Sequence, residues 1–162
     1  LVLAATAGVA GQAGPEHPSV AVGPDISYFS GTWTCAGETD GVDYVDGVEQ
    51  MPRHKTCTTE STDPRVVGTE ELDLVIYGTR KAEGAPWSAS GVLTTAEGTW
   101  RGTGHGMATL SGASGLGLVG LAFGLGEMDY IGEGAYDGLV MRYYLAGHEG
   151  SQTVSGWVAP AD

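Results

Sequence analysis

Apolar and polar residues alternate along most of the chain, and no stretch sustains the 3.6-residue apolar period of an amphipathic helix. Residues 28–36, YFSGTWTCA, predict a first strand rich in aromatic and β-branched side chains. Residues 42–50 predict a hairpin that turns at Asp46-Gly47, a pair suited to a two-residue turn. Pro52 is expected to end the second arm or to mark a sheet edge. Residues 54–60 resume an extended segment, and Thr62-Asp63-Pro64-Arg65 is a turn signal. Over 66–77, Leu72, Leu74 and Ile76 share one face, and Glu71, Asp73 and Val75 share the other. Gly84 to Pro86 reads as a loop. Residues 87–95 and 99–110 form a hairpin around Ala96-Glu97-Gly98. On its second arm Trp100, Gly102, Gly104, Gly106, Ala108 and Leu110 share a face, which is the more core-like one. Arg101, Thr103, His105, Met107 and Thr109 share the opposite face. The apolar, Gly-rich run 111–126 fits either a buried strand or a lid. Residues 127–132 read as a strand leading into a turn from Glu133 to Gly138. Residues 139–146 and 151–159 make a terminal hairpin around Gly147 to Gly150.

About eight strands with short connections and no helix imply an all-β protein. The expected architecture is an antiparallel up-and-down barrel, since closure removes exposed edges; a calycin-like barrel is the alternative. Composition narrows the classes further. Twenty-eight glycines disfavour a helical bundle, and their lack of a strict period of three excludes collagen. Twenty acids against seven Lys and Arg give a net charge of −13, which excludes nucleic-acid binding through clustered cations. A hydrophobic fraction of 41% with four Trp and seven Tyr is enough for a core, so the chain is not disordered. With no Asn, N-glycosylation is excluded.

Residues 1–13, LVLAATAGVAGQA, read as the tail of a secretory signal peptide, with small residues placed for cleavage after Ala10 or Ala13. The run is too short for a membrane span, which needs about 20 apolar residues. Residues 14–27, with Pro15, Pro18 and Pro24, read as an extended linker, and 28–159 as a single domain. The expected location is secreted or periplasmic. In that setting the lone pair Cys35 and Cys57 reads first as a disulfide. A metal site using Cys35, His54 and Cys57, or two free thiols, are the alternatives.

The segment Gly132-Glu133-Gly134-Ala135-Tyr136-Asp137-Gly138, with its flanking strands, resembles the Gly-x-Gly-x-aromatic-x-x segment of the allene oxide cyclase and dirigent-type β-barrels. Trp100-Arg101-Gly102 and Asp63-Pro64-Arg65-Val66-Val67-Gly68 are similar to segments of exported bacterial proteins related to that barrel. The resemblance covers roughly 28–159 and implies the barrel fold. Plant allene oxide cyclases hold a buried water partly through Asn side chains, and dirigent proteins use paired Asp and Arg in the lumen. This chain has no Asn, and no motif fixes its Arg and acid positions onto theirs, so no catalytic residue is carried over.

The candidate chemistry is sparse. Gly115-x-Gly117-x-x-Gly120 matches a dinucleotide-binding pattern, but no βαβ unit surrounds it. Asp40, Asp43 and Asp46 read as a solvated acidic hairpin rather than a calcium loop. No Gly-x-Ser-x-Gly elbow accompanies the four histidines. Arg101, His105 and Arg142 are the ligand-contacting candidates if their face lines the lumen, where they would bind a carboxylate or polarise a carbonyl. Trp33 and Trp100 are the candidates if the lumen is apolar. Gly132, Gly134, Tyr136 and Gly138 form an expected structural turn, with φ > 0 at Gly134 and the Tyr136 ring over the barrel end. The expected function is binding of a small apolar or amphipathic ligand. A cofactor-free cyclase or isomerase, and a structural protein with a solid barrel, are the alternatives. No metal or cofactor is called for, no nucleic acid is expected, and a homo-oligomer is compatible with the sequence.

Overall fold

A computed structural model describes residues 25–39, 41–78, 84–112, 119–148 and 151–162. Nine strands follow in order: β1 (Ser27–Thr39), β2 (Asp43–Val45), β3 (Val48–Ser61), β4 (Gly68–Tyr77), β5 (Ala85–Thr95), β6 (Gly98–Gly112), β7 (Val119–Gly134), β8 (Leu139–His148) and β9 (Ser151–Pro160). Every pairing is antiparallel, and from β3 to β9 each strand pairs with the next in sequence. β1 pairs with both β9 and β3, which closes the sheet into an eight-strand barrel with β2 as an extra flap on β3. Among the described residues there is no α-helix, only a 3-10 turn at Pro64–Val66. The expected leader and most of the expected linker, residues 1–24, lie outside the described residues, and β1 already begins at Ser27, inside the stretch expected to be linker.

The alternation seen in sequence sets the faces. Leu72, Leu74 and Ile76 point inward and are buried, while Glu71 and Asp73 are exposed. The Asp46-Gly47 turn forms with φ of 51° and 78°, the left-handed pair that a tight hairpin turn needs. Two boundary expectations are corrected. β3 runs straight through Pro52, which sits between Arg53, the last residue paired with β1, and Gln50, the first paired with β2. The proline therefore falls where this side of β3 has no ladder to interrupt. Ala85 and Pro86 belong to β5, where Pro86 is exposed near the strand start. The run 111–126 is strand on both sides, ending β6 at Gly112 and opening β7 at Val119; its middle lies outside the described residues.

The inward column of β6 shows why small residues are needed there. A Cβ on Gly102 would lie 2.7 Å from the Tyr130 ring, and the Asp129 carbonyl oxygen would be closer still. Glycine on one strand thus gives space to an aromatic ring on the next.

One end of the barrel is closed by side chains. Trp100 is fully buried and stacks on Tyr136, with ring centroids 4.8 Å apart. Its indole N–H donates to the Arg65 carbonyl oxygen at 2.8 Å. Asp63 caps the 3-10 turn by accepting from the Arg65 backbone N–H at 3.0 Å, and also accepts from Ser27 Oγ on β1 at 3.0 Å. Gly134 has φ of 72°, as expected. Two details differ from expectation. No atom lies within 4 Å of a Cβ placed on Gly134, so glycine is favoured by backbone conformation and not by contact. The Tyr136 hydroxyl does not stay near water but bonds Thr95 Oγ1 at 2.7 Å. The three segments that carry the family resemblance, 63–68, 100–102 and 132–138, therefore pack at a single corner.

Candidate functional site in the barrel lumen

Midway along the barrel, four inward side chains from four strands converge. Glu70 on β4 is fully buried. It accepts hydrogen bonds from Trp33 Nε1 of β1 at 3.0 Å, from the Tyr143 hydroxyl of β8 at 3.0 Å, and from the Tyr130 hydroxyl of β7. The two phenol oxygens lie 3.2 Å apart, and their rings stack with centroids 5.5 Å apart. Gly91 on β5 leaves room for the carboxylate, since a Cβ there would sit 2.7 Å from Glu70 Oε1. Burial raises the Glu70 pKa, against the lowering effect of its three hydrogen bonds. Burial also pushes both tyrosine hydroxyls well above their ordinary value of 10. The phenols thus stay protonated, and Glu70 is the member of the cluster that can exchange a proton.

The arrangement satisfies both forms of Glu70. As a carboxylate it accepts three bonds. As a neutral acid its O–H can donate to Tyr130, Tyr130 to Tyr143, and Tyr143 back to the second carboxyl oxygen, closing a ring.

Toward the end opposite the Tyr136 corner lies a small cavity of about 30 Å³. Trp33 joins it to the carboxyl cluster, because its ring lines the cavity while its N–H holds Glu70. Leu72, Leu74, Trp87, Met128 and Leu145 supply the apolar wall, and Lys55 and Gln152 the polar part. Lys55 and Gln152 are each only 9% exposed. The Gln152 amide oxygen is buried and has no hydrogen-bond partner among the described residues. Arg53, the next inward residue on β3 beyond Lys55, is buried as well. Two of the five Lys and Arg among the described residues therefore point into the barrel.

The sequence-derived candidates divide accordingly. Trp33 and Trp100 are inside, Trp33 at the cavity and Trp100 in the closed corner. Arg101, His105 and Arg142 are turned outward and cannot line the lumen. Arg101 pairs with Glu133 at 3.1 Å, His105 Nε2 lies 3.5 Å from Glu127 Oε1, and Arg142 Nη2 lies 3.0 Å from Asp129 Oδ2. The physical reason is volume: the strand face with Trp100 and the glycines fits the interior, which leaves the charged face to water. Cys35 and Cys57, opposite each other on β1 and β3, form a disulfide with Cα atoms 4.0 Å apart. His54 points outward to Asp73 and Glu71, which raise its pKa above 6.5, so the cysteine–histidine metal reading is set aside. Asp43 and Asp46 are exposed, and Asp40 lies outside the described residues. In the glycine pattern Gly120 is in strand β7, with Gly115 and Gly117 outside the described residues.

Sequence reasoning missed Glu70, Tyr130, Tyr143, Lys55 and Gln152. A signal existed for Glu70: it shares parity with Leu72, Leu74 and Ile76, so the same alternation puts a carboxyl on the core face. Comparison of the chain with protein-family models, curated proteins and solved structures finds no match. Among the described residues no helix is long and apolar enough to cross a membrane.

Proposed function

We propose that the protein is an exported small β-barrel that holds a small amphipathic ligand in the half of the lumen above Glu70. The observation that carries this reading is the buried Gln152 amide oxygen without a partner, facing a cavity walled by Trp33, Trp87 and aliphatic side chains beside Lys55. Burying an unsatisfied amide oxygen costs stability, and a barrel that only had to be solid would fill position 152 with an aliphatic group. The chemistry favours a ligand whose apolar body meets the tryptophans and whose polar head donates to Gln152 and presents negative charge to Lys55. Ligand pockets usually measure about 300–1,000 Å³, so a ligand here needs the cavity of about 30 Å³ to widen on binding. Export is supported by the disulfide together with the apolar run at 1–13. Membership of the allene oxide cyclase and dirigent-type barrels, in their exported bacterial branch, rests on the sequence resemblance of segments 63–68, 100–102 and 132–138.

A second reading is a cofactor-free cyclase or isomerase. Its support is Glu70, a buried carboxyl with raised pKa held between two phenols, suited to moving a proton. Native mass spectrometry of protein from its own source, and titration with the anionic amphiphile 8-anilinonaphthalene-1-sulfonate, test the ligand reading. A retained small molecule, or dye binding weakened in Lys55→Met and Gln152→Leu, is expected. No retained molecule and no dye binding by the native barrel would overturn it in favour of a solid structural barrel.

A further inference from the structure

The outer face of β6, β7 and β8 combines exposed apolar side chains with cross-strand ion pairs. Met107, Leu125, Ile131 and Tyr144 stand on it with exposures of 49%, 50%, 67% and 47%. Met107 and Leu125 are directly opposite across β6 and β7, and both line a shallow hollow of about 460 Å³ that Tyr144 also walls. Two cross-strand ion pairs offset charge on this face, Arg101 with Glu133 and Arg142 with Asp129, and His105 Nε2 lies 3.5 Å from Glu127 Oε1. The outer side of β2, β3 and β4 also exposes Tyr44, Val45 and Val48, but among the acids Asp43, Asp46, Glu60, Glu71 and Asp73, with His54. Met107, Leu125 and Tyr144 gathered around one hollow mark an interaction surface, with Ile131 farther along β7 beyond Glu127 and Asp129.

We infer that the β6–β8 face binds a second copy of this chain. Charge decides the occupant. A cationic partner would be drawn to the acidic β2–β4 face, whereas two molecules that each carry −13 can approach closely only where the local charge is near zero. The β6–β8 face meets that condition and offers the matching apolar side chains when it meets itself, as a two-fold interface requires. Over the described side chains, three strands about 4.8 Å apart and about 11 residues long at ~3.3 Å per residue span roughly 500 Å², the size of a weak, reversible contact. The overall negative charge opposes the association, so added salt strengthens it by screening.

Sedimentation velocity of the chain from about 1 to about 200 μM, in dilute buffer and in about 1 M NaCl, tests the inference. The expected result is a concentration-dependent dimer that tightens with salt. Leu125→Lys, which places a charge in the patch, should weaken it roughly a hundredfold. Thr58→Lys, which adds the same charge to the exposed far side on β3, should leave association intact or strengthen it. Both sites are exposed, and matching thermal midpoints would confirm that the variants fold. A monomer at every concentration and salt, or a dimer indifferent to Leu125→Lys, would overturn the inference. So would a hollow that takes up 8-anilinonaphthalene-1-sulfonate in a monomer that does not associate.

Discussion

Replacing Glu70 separates the need for its shape and hydrogen bonds from the need for its charge. In Glu70→Leu, Trp33 Nε1 loses its acceptor, and so does whichever of Tyr130 and Tyr143 is not donating to the other. Two buried donors left without partners, at about 1–3 kcal/mol each, give an expected loss of roughly 2–6 kcal/mol. Glu70→Gln keeps the shape and mimics the neutral acid: its amide can donate to Tyr130, and its oxygen can accept from Tyr143 and Trp33. It should cost about 1 kcal/mol or less near neutral pH. The pH dependence carries a sign. A carboxyl whose pKa is raised on folding binds more protons in the native state, so its contribution is fully present below the unfolded value of about 4.3. It is lost as pH rises through the folded pKa, at no more than about 1.4 kcal/mol per unit. Glu70→Gln should therefore gain relative to the parent protein as pH rises above that point. Urea melts followed by tryptophan fluorescence, with the disulfide intact and at several pH values, measure this. A Leu variant as stable as the parent would refute the packing argument. A Gln variant as damaged as Leu, or one that loses ground as pH rises, would mean that the negative charge itself is needed.

Gly134→Ala should cost about 1–2 kcal/mol, from the left-handed φ of 72° alone. Gly102→Ala, whose Cβ would meet the Tyr130 ring at 2.7 Å, should be the worse of the two in the same melts. Tyr136→Phe should lose about 1 kcal/mol through the Thr95 bond, and Tyr136→Ala about 3 kcal/mol or more through the stack on Trp100. Thiol titration of the unfolded, unreduced protein should find no free thiol, and reduction should lower stability by roughly 3 kcal/mol. The thermal midpoint should rise between dilute buffer and about 1 M NaCl, because added ions screen the excess negative charge; a clear fall would refute this.

Much of the architecture is legible in local pattern. Two-residue alternation carries over into the buried Leu72, Leu74 and Ile76 of β4, and Asp46-Gly47 turns the hairpin it predicts. The pairing of Cys35 with Cys57, the positive φ of Gly134 and the absence of helix among the described residues follow from the same kind of reading. These features depend on neighbours along the chain, or on there being just two cysteines. Alternation divides a strand into two faces without saying which face is inside. That choice depends on the volumes contributed by strands distant in sequence. The Trp100 and glycine face of β6 turns inward because rings from β5 and β7 occupy the space that glycine leaves, and this sends Arg101, His105 and Arg142 out to solvent. The carboxyl cluster is likewise invisible to any local pattern. Trp33, Glu70, Tyr130 and Tyr143 are spread over 110 residues of chain and meet only when the barrel closes through the β1–β3 ladder. Sequence determines which residues can be buried; closure decides which buried polar groups meet, because hydrogen bonding across a lumen is a relation between strands rather than a property of any one of them.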